Sequence, residues 1–175
     1  MKNLLKYIIA LLTVTILRLI PHPPNVEGIT ATIMPFGKRF GILAGMLFGA
    51  LAILSFDLIT GTLGPWTIMT LSMYTLIGAA SGLFLKKSDN KISNYVIFAV
   101  IATILYDAVT GIGAGVLFFN QGVIATTIAQ IPFTLMHLGG NIVFAAVISP
   151  LLYRWVLDNP DLDTQNVLTA CKNLV

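Results

Sequence analysis

Long apolar runs broken by short basic clusters dominate this chain and leave it few folds. Lys2 and Lys6 open it, Lys38 and Arg39 sit together, Lys86, Lys87 and Lys91 form a third group, and Arg154 lies near the end. Between these points the residues are almost wholly apolar. Charged residues make up 10% of the chain against 57% hydrophobic residues, where a soluble domain carries about 25% charged residues. So little charge cannot cover a soluble surface. A bilayer removes that requirement, and in lipid each backbone polar group is satisfied within a helix or a closed barrel. The basic clusters act as topology signals. A nucleic-acid surface would need a basic stripe with exposed aromatics, and there is none.

The runs predict a single bundle of about six transmembrane helices over residues 1–157, followed by a polar, mobile cytoplasmic tail over 158–175. The first helix is expected over Leu4–Ile20, ended by Pro21, Pro23 and Pro24, because proline cannot continue the hydrogen-bond ladder. This run resembles a signal peptide but lacks a small-x-small cleavage pattern, so it is read as a retained helix. Ile29–Phe36 is too short for a straight crossing, which takes about 20 residues, and is counted as a short second span. Longer helices are expected over Phe40–Thr60, Trp66–Leu85, Tyr95–Gly111 and Pro132–Leu157. Residues 120–131 read as a half-helix along the membrane face. Placing every basic cluster on the cytoplasmic side puts both termini inside. Arg18 is the exception, expected to snorkel to the outer interface. Asn25, Glu27, Asp57, Trp66, Asp107, Asn120 and Gln121 then gather toward the outer face.

An internal repeat falls on that face. Phe56-Asp-Leu-Ile-Thr-Gly61 and Tyr106-Asp-Ala-Val-Thr-Gly111 share the order aromatic, Asp, two apolar residues, Thr, Gly. Two matched Asp residues near helix ends allow two readings. They line a polar cavity and bind ligand, or each ties down its own turn. His137 and Asn141 share a helix face with Thr134 and either contact ligand or hydrogen-bond a neighbouring helix. Trp66 fits a membrane belt or a stacking platform, and Tyr74 fits core packing. Gly41, Ala44, Gly45 and Gly49 form a ridge of small residues suited to helix packing or to docking a separate subunit. No metal site is expected, since His22 and His137 have no ligand spacing. No cofactor is indicated either. The absence of a Gly-x-x-x-x-Gly-Lys-Ser/Thr loop means that any uphill movement draws on ATP hydrolysed elsewhere or on an ion gradient.

The residues also support a family comparison. Arg18-Leu-Ile-Pro-His-Pro-Pro-Asn-Val-Glu27, the Phe-Asp of the first repeat, Leu63-Gly-Pro-Trp-Thr67 and Gln130-Ile-Pro-Phe-Thr-Leu-Met-His-Leu-Gly-Gly-Asn141 resemble the substrate-binding S components of energy-coupling factor vitamin transporters. The resemblance covers roughly residues 4–157 and is nearest to uncharacterised S-component-like members. It implies a six-helix bundle in a prokaryotic cytoplasmic membrane that captures a vitamin or similar micronutrient from outside. It also implies docking to a transmembrane T component with two ATPase subunits. Carried onto this chain, it points to Asn25, Glu27, Trp66, Asp107, His137 and Asn141 for substrate, with Asp57 added by the repeat. The family's Ala-x-x-x-Ala docking pattern in the first helix is not matched, because Ala10 is followed by Val14. The alternatives are an assembly protein without ligand, or a small intramembrane enzyme using Asp57, Asp107 and His137 as acid–base groups.

Overall fold

A computed structural model describes residues 3–21 and 26–172, and among them the chain is all-helical. The helices are α1 (Leu4–Leu19), α2 (Ile29–Phe40), α3 (Ile42–Thr60), α4 (Pro65–Phe84), α5 (Ile92–Asp107), α6 (Ala114–Phe119), α7 (Val123–Leu152) and α8 (Thr164–Lys172). Four stretches are long and apolar enough to cross a membrane: Ile42–Thr60, Pro65–Phe84, Ile92–Phe119 and Val123–Leu157. The outward faces of these helices carry Leu, Ile and Phe, among them Ile68, Phe84, Leu117 and Ile124. This is the surface of a helical membrane protein.

The short second segment is longer than expected and occupies an unexpected place. α2 has 12 residues, about 18 Å at 1.5 Å per residue. Every residue from Ile29 to Lys38 is buried, so α2 is the central helix of the bundle, enclosed by α3, α4 and α7. Pro35 lies inside it. A proline has no N–H to give to the carbonyl four residues earlier, here that of Ala31. The buried Ser149 hydroxyl of α7 donates to the Ala31 carbonyl at 2.8 Å and supplies the missing bond.

The small-residue ridge packs inside the bundle. A Cβ on Gly45 would meet the Gly78 backbone of α4, one on Gly49 the Tyr74 backbone, and one on Gly37 of α2 the backbone of Gly82. These glycines let α2, α3 and α4 approach to backbone contact. Gly45 and Gly49 are therefore unavailable for docking another subunit. Ala44 is half-buried. Gly41 is not on the helix; it joins α2 to α3 with φ +90°, in the left-handed region that favours glycine. Ala10 and Val14, at the position of the absent docking pattern, are fully buried in the core.

Three expected boundaries move. The glycines after Asp107 do not end the helix: a π-helical turn over Ala108–Gly113 carries it into α6. A Cβ on Gly111 would collide with the Gln130 side chain of α7, so this glycine serves close packing. α7 begins at Val123 and absorbs both the expected half-helix and Pro132. The tail carries regular structure, since α8 forms within it and a 3-10 turn spans Pro160–Leu162. Lys6 Nζ, almost fully buried, bonds the Leu157 carbonyl at 3.0 Å and Asp163 at 2.6 Å, and Leu5 N donates to Thr164 Oγ1 at 3.3 Å. These contacts fasten the C-terminal segment to α1.

Apart from Arg18, the basic clusters meet at one end of the bundle. Lys38 Nζ caps the C-terminal end of α4, donating to the carbonyls of Leu85 (3.1 Å) and Ser88, a favourable place for a cation. Arg39 pairs with Asp158 at 3.1 Å. Glu27, Asp57 and Trp66 lie at the other end.

Candidate functional site

A polar recess of about 240 Å³ opens at the end opposite Lys38 and Arg39. It collects side chains from α1, the connection before α2, α3, the α3–α4 turn, α4 and α5. Gly61 ends α3 with φ +68° and turns the chain so that Pro65 begins α4. Proline suits a first helical turn, where its missing N–H is not needed. The turn is pinned by Asp57. One carboxylate oxygen accepts from Thr67 Oγ1 at 2.8 Å and the other from Thr62 Oγ1 at 3.4 Å. Thr67 Oγ1 in turn accepts from Gly64 N at 3.1 Å. The reading in which the Asp ties its own turn therefore describes Asp57, which also lines the recess.

Arg18 does not snorkel. Its side chain is 12% exposed, with Nε 3.3 Å from Glu27 Oε2, and its guanidinium lies 3.6 Å from the centre of the Phe56 ring. Such stacking on an aromatic face is favourable for a desolvated guanidinium. Among the described residues, Arg18 Nη1 is buried without a hydrogen-bond partner. It is a donor held in place beside the recess. Trp66 is half-exposed at the rim, its Nε1 donating to the Thr62 carbonyl at 3.1 Å. Tyr74 and Tyr106 form another wall, ring centres 4.7 Å apart.

Asp107, His137 and Asn141 come together elsewhere. Asp107 Oδ1 and His137 Nδ1 are 2.8 Å apart, and one turn away Asn141 Nδ2 donates to Thr103 Oγ1 at 2.7 Å. These two rungs join α5 to α7, with Asp107, His137 and Asn141 all at least 96% buried. The His137 ring meets Tyr106 edge-on at 5.5 Å. Tyr106 thus touches both the recess and this buried pair. Asp107 Oδ2 and Asn141 Oδ1 have no hydrogen-bond partner among the described residues.

The expected substrate residues divide accordingly. The recess brings together Glu27, Asp57 and Trp66, whereas Asp107, His137 and Asn141 form the α5–α7 rungs. Asn25 lies outside the described residues. Asn120 and Gln121 are exposed and do not line the recess. Sequence reasoning missed Arg18, Phe56, Thr62, Thr70, Tyr74 and Tyr106. A signal for two of them was present, because Phe56 and Tyr106 are the aromatic positions of the two repeats. The repeated threonines do equivalent local work, Thr60 and Thr110 each donating to the carbonyl four residues earlier, at 2.8 and 2.9 Å. The repeated carboxylates diverge, Asp57 toward its turn and Asp107 toward another helix.

A larger concavity of about 580 Å³ between α4 and α5 is lined almost wholly by apolar side chains. It lacks the convergent polar groups that orient a small ligand. Among the described residues no group of three or more His, Cys, Asp or Glu side chains is placed to hold a metal ion. Compared with known protein families, curated proteins and solved structures, the chain finds no match.

Proposed function

We propose that this chain is a membrane-embedded substrate-capture subunit, binding a vitamin-like micronutrient in the recess for import by a separate ATP-driven module. The observation that carries the reading is the recess itself: an Arg18 donor without a partner among the described residues, the Glu27 and Asp57 carboxylates, and the Trp66, Tyr74 and Tyr106 rings converge on one small space. Its volume falls below the roughly 300–1,000 Å³ of drug-sized sites, so the ligand is small. The rings suit a flat heterocycle, Arg18 Nη1 suits a carbonyl or carboxylate on it, and Glu27 suits a donor group.

The basic end fits the cytoplasmic side by the positive-inside rule, which turns the recess outward. Six crossings with both termini inside follow if α1 and α2 each count as one. The resemblance to S components implies that the energising module is a transmembrane subunit with two ATPases, and the lack of a nucleotide-binding loop in this sequence is compatible with that. An acid–base enzyme is less favoured, because Asp57 is engaged by Thr62 and Thr67 whereas Asp107 is engaged by His137. An assembly role without ligand gives no reason for a buried guanidinium donor, without a partner among the described residues, beside an open recess.

Native mass spectrometry of detergent-purified protein tests the reading. A co-purified small molecule is expected, lost or weakened at least tenfold in Arg18→Ala and Trp66→Ala. If the protein carries no ligand and no heterocyclic micronutrient raises its thermal stability, the capture role is refuted. Asp107→Ala with Asn141→Ala separates direct contact from support, since unchanged affinity would remove the buried rungs from the binding site.

A further inference from the structure

We infer that the Asp107–His137 pair is a proton-binding site in the middle of the membrane, open toward the recess end. His137 is the fifteenth residue of the 30-residue α7, and Asp107 is the sixteenth of the 28-residue span Ile92–Phe119. Both therefore sit at mid-membrane, where an ionisable side chain is most costly and marks a proton or ion path by default. Among the described residues the ion partner of Asp107 is His137.

Charge selects the ligand. An ionised Asp107 beside a neutral imidazole leaves one negative charge enclosed and uncompensated, and a single proton removes it. A proton needs no cavity and no coordination shell. It also suits the atoms left over. Asp107 Oδ2 and Asn141 Oδ1 lack a donor among the described residues, and protonation turns a carboxylate oxygen into a donor. The groups around the pair do not compensate it. Tyr106 stands edge-on to the imidazole and meets Tyr74 of α4 in turn. Across the recess from Tyr106 lie Asp57 and the Arg18–Glu27 pair. Lys38, Tyr95, Tyr153 and Arg154 lie at the basic end, as does Arg39 of α2, and α6 carries no charged residue.

The seam between α5 and α7 connects this site to one side. On α7 the inward positions are Thr126, Gln130 and Thr134, then His137 and Asn141 at the rungs, then Ala145, Ser149 and Leu152. Thr126 lies against Gly115 and Gln130 against Gly111, and Gln130 Nε2 donates to Thr134 Oγ1 at 3.5 Å. Ser149 already donates to the Ala31 carbonyl. The stripe is thus polar from the recess end as far as the rungs, and Ala145 and Leu152 close it toward the basic end. The site rests on this geometry and stands whether or not the recess holds a micronutrient.

The test is nitrogen NMR of the detergent-purified full chain labelled at histidine. The chain has two histidines, so His22→Gln leaves His137 as the reporter. Its ring nitrogens should shift reversibly as the pH falls from about 8 to about 5, the range in which an imidazole ordinarily changes charge. The proton belongs to the pair, so Asp107→Asn should abolish the shift, whereas the exposed Asp89→Asn should preserve it. Gln130→Leu with Thr134→Val should slow exchange between the two ring states at least tenfold, read from line broadening. No shift in the His22→Gln protein would overturn the proposal, a result that does not depend on Asp107→Asn folding. So would a shift that survives Asp107→Asn, or one that follows sodium in place of pH. Unchanged exchange in the Gln130 and Thr134 double variant would overturn the access from the recess end.

Discussion

Ser149→Ala isolates one bond at the centre of the bundle. The Ser149 hydroxyl is fully buried and donates at 2.8 Å to the Ala31 carbonyl, which Pro35 leaves without its helical donor. Removing the hydroxyl strands a buried acceptor, which costs about 1–3 kcal/mol. The lost oxygen leaves little space, so the cavity contribution is small. A loss of about 2 kcal/mol corresponds to a fall of about 4–8 °C in Tm for a chain of this size. The decisive arm is Pro35→Ala. It restores an N–H at position 35 that can serve the same carbonyl, so Ser149→Ala should cost less in that background. The coupling expected from the cycle is about 1–2 kcal/mol. Thermal unfolding in a fixed detergent, followed by helical circular dichroism, reads all four proteins. Equal cost of Ser149→Ala in both backgrounds would show that the serine does not compensate for the proline.

Three other perturbations probe separate contacts. Gly45→Ala sets a methyl group against the Gly78 backbone, with its Cβ 2.8 Å from the Gly78 carbonyl carbon. Carbon atoms sit at about 3.5–4.0 Å, so the helices must part, at a cost of about 1–3 kcal/mol visible as a lower Tm. Lys6→Met removes the buried ammonium that holds the Leu157 carbonyl and Asp163; hydrogen exchange over Thr164–Lys172 should speed up several-fold while that of α3 stays constant. Thr67→Val strips Asp57 of its 2.8 Å partner and Gly64 N of its acceptor. It should lower stability by about 1–3 kcal/mol and weaken ligand binding, and equal stability by the same unfolding assay would deny Asp57 its place in the turn.

The longer spans α3 and α4 were legible because apolar length and the turn around Gly61–Pro65 are local properties. The ends of α5 and α7 were not. Gly111 and Gly113 look like helix breakers in isolation, but Gly111 is small because Gln130 lies against it. Pro132 looks like a helix start, but a long membrane helix tolerates it within its span. At the candidate site, charge and aromatic type placed Glu27, Asp57 and Trp66 at one end, where the recess lies. They could not show that Glu27 and Asp57 would share a recess while Asp107 and His137 turned inward, since that depends on the rotation of each helix. Arg18 was misread because a cation near a helix end usually reaches water, and its partners, Glu27 and Phe56, are remote in sequence.

The enclosure of α2 bears on how the protein is made. A 12-residue helix carrying Lys38 and Arg39 offers an insertion machinery no adequate hydrophobic signal, because a stable crossing takes about 20 apolar residues. The sleeve that surrounds it comes from α3, α4 and α7, all synthesised later. α2 therefore gains its sheath stepwise, from α3 and α4 first, and the last side closes only when α7 emerges. A reporter placed after Phe40 in a chain truncated there would not sit where the full-length protein puts it.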